Sequence, residues 1–290
     1  MTDVHFAMIV WNAFKTIFAL FLIAGLMFSS GVFSVLLYAK ISGNEPWFAV
    51  TTDYAASPQP AESDEDETDD KGDVSESQAE LPAAASLDAP VVRQFPELPA
   101  GCEITSLTML LQYYGVQKDK MELVKEMKTD PTPVRLGKNG SIAYWGDPNT
   151  GFVGDVTGKS RGYSIYHGPL FELLKTYVPT AVDLTGEPFE RLERQIADGV
   201  PVLVWTTIDY KVPDKWVVWD SPAGPIRATF KVHAVLLVGY DESNVYVNDP
   251  YTGKKSFQID KERFIATWDV MGRQALSYTI PEKGGKTDDI

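Results

Sequence analysis

The chain changes character three times along its length. Phe6 to Tyr38 is apolar, and from Thr16 to Tyr38 it carries no charge. A helix of that length crosses a hydrocarbon core of roughly 30 Å. The pattern therefore predicts one transmembrane anchor over 16–38 behind a short tail, 1–15. Ser57 to Pro90 is rich in Asp, Glu, Ser, Ala and Pro and has no aromatic residue. Such a stretch buries too little apolar surface to offset its ordering entropy, which predicts a disordered acidic linker over 39–90. From Val91 the hydrophobic positions become periodic. Residues 91–282 read as one folded domain, large enough to bury a core of its own, ahead of a tail, 283–290.

Within that domain the period is first helical and then two. Leu107, Leu110, Leu111 and Tyr114 fall on one helix face, and Gly115 stands where the helix stops. Asp119 to Lys128 predicts a second helix with Met121, Val124 and Met127 inward. Pro131 to Thr157, rich in Gly, Pro and Asn, reads as loop. Leu170, Leu173, Leu174 and Tyr177 mark a helix starting at Pro169. Phe189, Leu192 and Ile196 mark another, stopped by Gly199. Strands then follow at Val202–Trp205, Trp216–Trp219, Ile226–Val232, Ala234–Tyr240, Val245–Asn248 and Lys255–Ile259, with a last one at Ala275–Ile280. Helices first and strands later predict an α+β fold, a helical half packed on an antiparallel sheet.

Charge and composition narrow the chemistry. The formal charge is −14, and ten acidic residues with one lysine sit between Ala61 and Glu80. No basic stripe exists, so nucleic acid is excluded as an expected partner. The single cysteine and three scattered histidines make no cluster with metal-site spacing; neither metal nor cofactor is expected.

That cysteine, Cys102, lies in ELPAGCEITSLTMLLQYYG, just ahead of the first helix pattern. A helix N-terminus favours negative charge and lowers a thiol pKa. Its nucleophile chemistry needs a base. His5 is in the N-terminal tail; His167 precedes a helix; His233 sits in the strand KVHAVLLVGY, 131 positions after Cys102, a spacing found in helix-start cysteine proteases. The next strand, NVYVNDPYTG, ends in Asn248 and Asp249, either of which can orient the imidazole. The Cys102 N–H and the Gln94 side chain are the candidate oxyanion donors. Glu103, in the first helical turn, reads as a favourable helix-end charge. Trp216 and Trp219 read as core.

The stretches ELPAGCEITSLTMLLQYYG, GFVG with GYSIYHGPL, GVPVLVWTT, HAVLLVGYD and VYVNDPYTG, in this order from about Val91 to Ile280, resemble the papain-like cysteine peptidases grouped as the C thirty-nine-like family, relatives of the bacterial double-glycine leader peptidases. The resemblance implies a papain-like fold with Cys102 as nucleophile, His233 as general base and acid, Asp249 as orienting acid and Gln94 as oxyanion donor. It also implies His167, Trp205, Thr206 and Gly101 as lining for a peptide or protein substrate. The implied protein is a bacterial extracytoplasmic peptidase, single-pass in the cell membrane through its N-terminal helix. Leader peptidases of this kind are fused to an ABC transporter, whereas this sequence has one hydrophobic span and no G-x-x-x-x-G-K-[ST] motif. The same residues also allow a peptide-binding module without turnover, or an amidase or transferase that passes through the same thioester.

Overall fold

A computed structural model describes residues 80–280. The predicted anchor over 16–38, the tail 1–15, the linker ahead of residue 80 and the tail 283–290 lie outside them. In chain order the elements are β1 (Ala85–Ser86), α1 (Cys102–Tyr114), α2 (Lys120–Glu126), β2 (Thr129–Asp130), β3 (Arg135–Leu136), β4 (Ile142–Tyr144), β5 (Phe152–Val153), α3 (His167–Tyr177), β6 (Ala181–Asp183), α4 (Phe189–Ala197), β7 (Val202–Thr207), β8 (Val217–Ser221), β9 (Gly224–Ala228), β10 (Val232–Tyr240), β11 (Asn244–Asp249), β12 (Lys254–Asp260), α5 (Lys261–Val270) and β13 (Ala275–Tyr278).

The fold is mixed α/β. Its main sheet has the order β12-β11-β10-β7-β13-β6, with β1 added against β10, and every pairing is antiparallel. Strand alternation sorts its side chains into two cores. Leu203 and Trp205 of β7 with Ala234, Leu236 and Val238 of β10 pack on Leu107, Leu110 and Leu111 of α1. Val202, Val204, Val235 and Leu237 point the other way, onto Leu192 and Ile196 of α4 and Phe264 and Trp268 of α5. Each such buried side chain stabilises the fold by about 1.5–3 kcal/mol relative to exposure. Helices therefore cover both faces rather than forming one helical half.

Local chemistry sets the helix ends. Gly115, at φ 109°, closes α1 with its N–H shared between Leu111 and Gln112 carbonyls. Asp119 caps α2 through a capping box with Glu122.

The structure differs from the sequence reading in several places. Met121, expected inward on α2, is exposed, because Leu123 takes the core position on that helix beside Met127. Packed residues begin ahead of Val91: Ala85 and Ser86 pair with Tyr240 and Gly239, and Ala89 is buried. The stretch predicted as loop, 131–157, contributes β3, β4 and β5; β3 and β4 join β8 and β9 in a second sheet. Ile142, Trp145, Val153, Tyr163, Trp219 and Ala228 form a small core there, so a few apolar residues among many glycines suffice where aromatic neighbours fill the space. The run Ile226–Val232 is not one strand, because a turn closed by Val232 N–H on Thr229 O at 3.2 Å separates β9 from β10. Helix α5 was not predicted. Its signal is present in the one-sided spacing of Phe264, Thr267 and Trp268 and in Asp260, which caps Arg263 N–H at 2.9 Å.

Candidate active site

Cys102 is the first residue of α1. Gly101 before it cannot carry a side chain cheaply, because a Cβ there would lie 2.7 Å from Leu98 Cβ. No side chain caps this helix start, and among the described residues no carbonyl takes the Cys102 N–H. That donor is thus free at the positive end of the helix.

The sulfur meets the sheet where β10 has no β11 partner. Pairing with β11 begins only at Leu236↔Asn248. Ahead of that rung, α1 satisfies the open strand edge. Ala234 N–H donates to Cys102 Sγ at 3.4 Å, and Ser106 Oγ donates to Ala234 O at 3.1 Å. The spacing of four puts both side chains on one helix face.

His233, the residue before Ala234, is 1% exposed, and its Nε2 lies 2.9 Å from Asp249 Oδ1. Asp249 also accepts from Tyr251 N–H at 2.8 Å and Thr252 Oγ1 at 3.0 Å, and Tyr210 OH donates to it at 3.4 Å. Burial works against the Asp249 charge, but the His233 bond and charge with these donors hold its carboxyl below the usual range. With Nε2 engaged, Nδ1 is the ring atom left for the sulfur.

Among the described residues no hydrogen bond joins Cys102 to His233. The thiol instead donates to Glu103 Oε2 at 3.4 Å. Glu103 is itself buried, and its Oε1 accepts from Ser164 Oγ and, at 3.3 Å, from Ile165 N–H. Burial pushes the Glu103 carboxyl up. Burial also pushes the Cys102 thiol well up, and the Glu103 charge adds to the effect. This corrects the expectation of a lowered thiol pKa: water exclusion and a carboxylate in contact outweigh the helix terminus.

The other predicted residues divide. Gln94 is buried and tied into the same region, its N–H on Pro250 O at 2.9 Å, next to Asp249. Its Nε2 donates to Pro99 O at 2.7 Å, and its buried Oε1 has no partner. Asn248 is pinned elsewhere: its Nδ2 donates to Ala89 O and Pro90 O, and its Oδ1 accepts from Ser256 N–H. Asp249, not Asn248, thus meets the imidazole. Trp205 and Thr206, expected to line a cleft, are fully buried. Trp205 Nε1 donates to Ile165 O at 3.0 Å, and the Thr206 and Thr267 hydroxyls bond at 2.7 Å, so both are packing residues. His167 starts α3, with Nδ1 2.6 Å from Asp183 Oδ2, and lines a separate cavity. Trp219 is core as expected, while Trp216 is half-buried.

The sequence reading gave Glu103 only a helix-end role, and Ser164 and Tyr210 none. The acidic residue beside Cys102 was a visible signal; Ser164 and Tyr210 reach the site through contacts across the fold that no spacing encodes.

The arrangement brings together a thiol, an imidazole–carboxylate pair one residue from its backbone donor, and a free N–H at a helix start. These are the parts of acyl transfer. A family model described as Peptidase_C39 like family matches residues 86–276. The uncharacterized protein YvpB of Bacillus subtilis (strain 168) is 38% identical over 211 residues, 71% of this chain and 81% of that protein. A crystal structure of a Bacillus anthracis protein classed as a C39-like peptidase aligns with TM-score 0.62 at 39% identity, covering 68% of this chain and 98% of that one. By sequence match and by fold, the chain belongs to the Peptidase_C39 like family.

Proposed function

We propose that this protein is a cysteine peptidase that hydrolyses peptide bonds through an acyl-thioester on Cys102. The observation that carries the reading is the buried His233–Asp249 pair, held one residue from the backbone N–H that donates to Cys102 Sγ. In this reading the thiol turns from Glu103 to Nδ1 of His233, which takes its proton. The thiolate adds to the substrate carbonyl, and the Cys102 N–H stabilises the oxyanion. His233 returns the proton to the leaving amine, and water then hydrolyses the thioester. Asp249 orients the ring and stabilises its charged form. Gln94 serves as second oxyanion donor once its amide leaves Pro99. The catalytic domain is tethered outside the cytoplasm by the uncharged apolar run 16–38, with the acidic linker as spacer.

The test uses the fact that Cys102 is the only cysteine. Iodoacetamide labelling at pH 7 is followed alongside hydrolysis of fluorescein-labelled casein. We expect His233→Asn to slow labelling at least tenfold and to abolish hydrolysis, and Cys102→Ala to abolish hydrolysis with the fold retained. Unchanged labelling in His233→Asn, or hydrolysis by Cys102→Ala, ends the reading.

A further inference from the structure

Residues 164–167 run from the thiol centre to a second cavity. Ser164 donates to Glu103 beside the sulfur, and Ile165 O accepts from Trp205 Nε1. The next two residues, Tyr166 and His167, line a cavity of about 300 Å³. Three Cα steps of 3.8 Å keep the Ser164 and His167 Cα atoms within about 11 Å of each other, so one short segment contributes to both places.

The cavity has the chemistry of an anion subsite. Its wall includes Arg227, whose guanidinium carbon lies 3.7 Å from the centroid of the Trp216 ring. Stacking on an indole fixes the plane of the guanidinium and leaves its in-plane N–H donors free for a carboxylate. Among the described residues Arg227 enters no ion pair, and no carboxylate lines the cavity. The acid nearest His167, Asp183, is already engaged by its Nδ1 at 2.6 Å. Trp216 and Met271 supply apolar surface for the aliphatic part of a ligand, and Gln274 is spent on His167 N–H and Met271 O.

The geometry points to a carboxylate-reading subsite at Arg227, taking an acidic side chain or a free C-terminal carboxylate of a peptide. The peptide as ligand class rests on the peptidase reading above; binding itself does not require turnover.

The experiment measures binding. The full chain carrying Cys102→Ala is immobilised and exposed to an acetylated octapeptide library, half with C-terminal amides and half with free C-terminal acids. Retained peptides are sequenced by mass spectrometry. Glu or Asp enriched at one position in the amide half identifies a side-chain ligand. Preferential retention of the free-acid half identifies a chain terminus. Arg227→Gln, which keeps a polar side chain without the charge, reduces either preference about tenfold or more, the scale of a bidentate charged contact. Tyr177→Phe, a change remote from the cavity, leaves it intact. No acid preference in either half, or a preference that survives Arg227→Gln, overturns the subsite. Acid-selective retention by the Cys102→Ala chain, with the chain that keeps Cys102 hydrolysing none of the retained peptides, leaves the subsite standing and removes the peptidase reading.

Discussion

The Cys102 thiol donates to the carboxylate of Glu103, the next residue, at 3.4 Å, and not to the imidazole of His233. A negative charge in contact with sulfur opposes thiolate formation, so Glu103 holds the resting nucleophile protonated. Glu103→Gln keeps an acceptor for Ser164 and Ile165 and removes the charge. We expect iodoacetamide labelling at pH 8 to quicken, burial of the thiol being the part of the shift that remains. Slower labelling in the variant shows instead that the carboxylate acts as the base.

The same burial makes stability depend on alkaline pH. The thiol pKa is higher in the folded chain than its ordinary value, so above about pH 8.5, where an unfolded thiol ionises, the unfolded state loses a proton that the folded state retains. Stability then falls as pH rises. Urea midpoints between pH 7 and 10 should drop more steeply for the wild type than for Cys102→Ala; parallel curves contradict this.

Asp249 carries the opposite sign. Its folded carboxyl lies below the usual range, so its contribution is present above about pH 4 and is lost as pH falls through the folded value. Asp249→Asn should narrow the stability gap to wild type on acidification. It should also cut hydrolysis about tenfold or more, because an amide oxygen still orients the ring but carries no charge to stabilise the imidazolium. Asp249→Asn with near-normal turnover removes the charge-stabilising role.

Asn248 tests whether neighbouring positions separate structure from chemistry. Asn248→Ala abandons two carbonyls and one N–H that its amide satisfies. We expect a loss of about 1–3 kcal/mol in urea unfolding, with labelling of Cys102 unchanged in the folded protein. Slowed labelling places Asn248 in the reaction.

Much of this site was legible because its parts are marked locally. Cys102 precedes a one-sided apolar helix, and His233 and Asp249 sit in successive strands joined by a short turn. The spacing of Leu107, Leu110 and Leu111 in α1, the unbroken apolar run Ala234–Val238 of β10 and the alternation that opens β11 are visible in the chain, so these elements follow from pattern alone. Other features were not legible for a physical reason. The Sγ contact with Ala234 N–H and the Ser164–Glu103 bond depend on where a helix end meets an unpaired strand edge, which is a tertiary fact. Trp205 looked like a cleft residue, but its indole N–H finds a carbonyl, Ile165 O, inside the core. The second sheet hides in a glycine-rich stretch because its core draws Trp219 and Ala228 from much later in the chain.

Gly101→Ala gives a direct check on how tightly the helix start is seated. The added methyl meets Leu98 Cβ at 2.7 Å, and overpacking of this kind costs about 1–3 kcal/mol. A lowered unfolding midpoint together with altered Cys102 labelling is expected. A neutral change in both measurements shows that the Leu98 turn yields freely.

The pairing of β1 with β10 has a mechanical consequence. Any load pulled through the chain upstream of residue 80 enters the sheet at Tyr240 and Gly239. His233 stands six residues back along that strand from Gly239, about 20 Å at 3.3 Å per residue. A pull applied there would load the β1 rungs and the Leu87 N–H bond to Val238 O before it reached the imidazole.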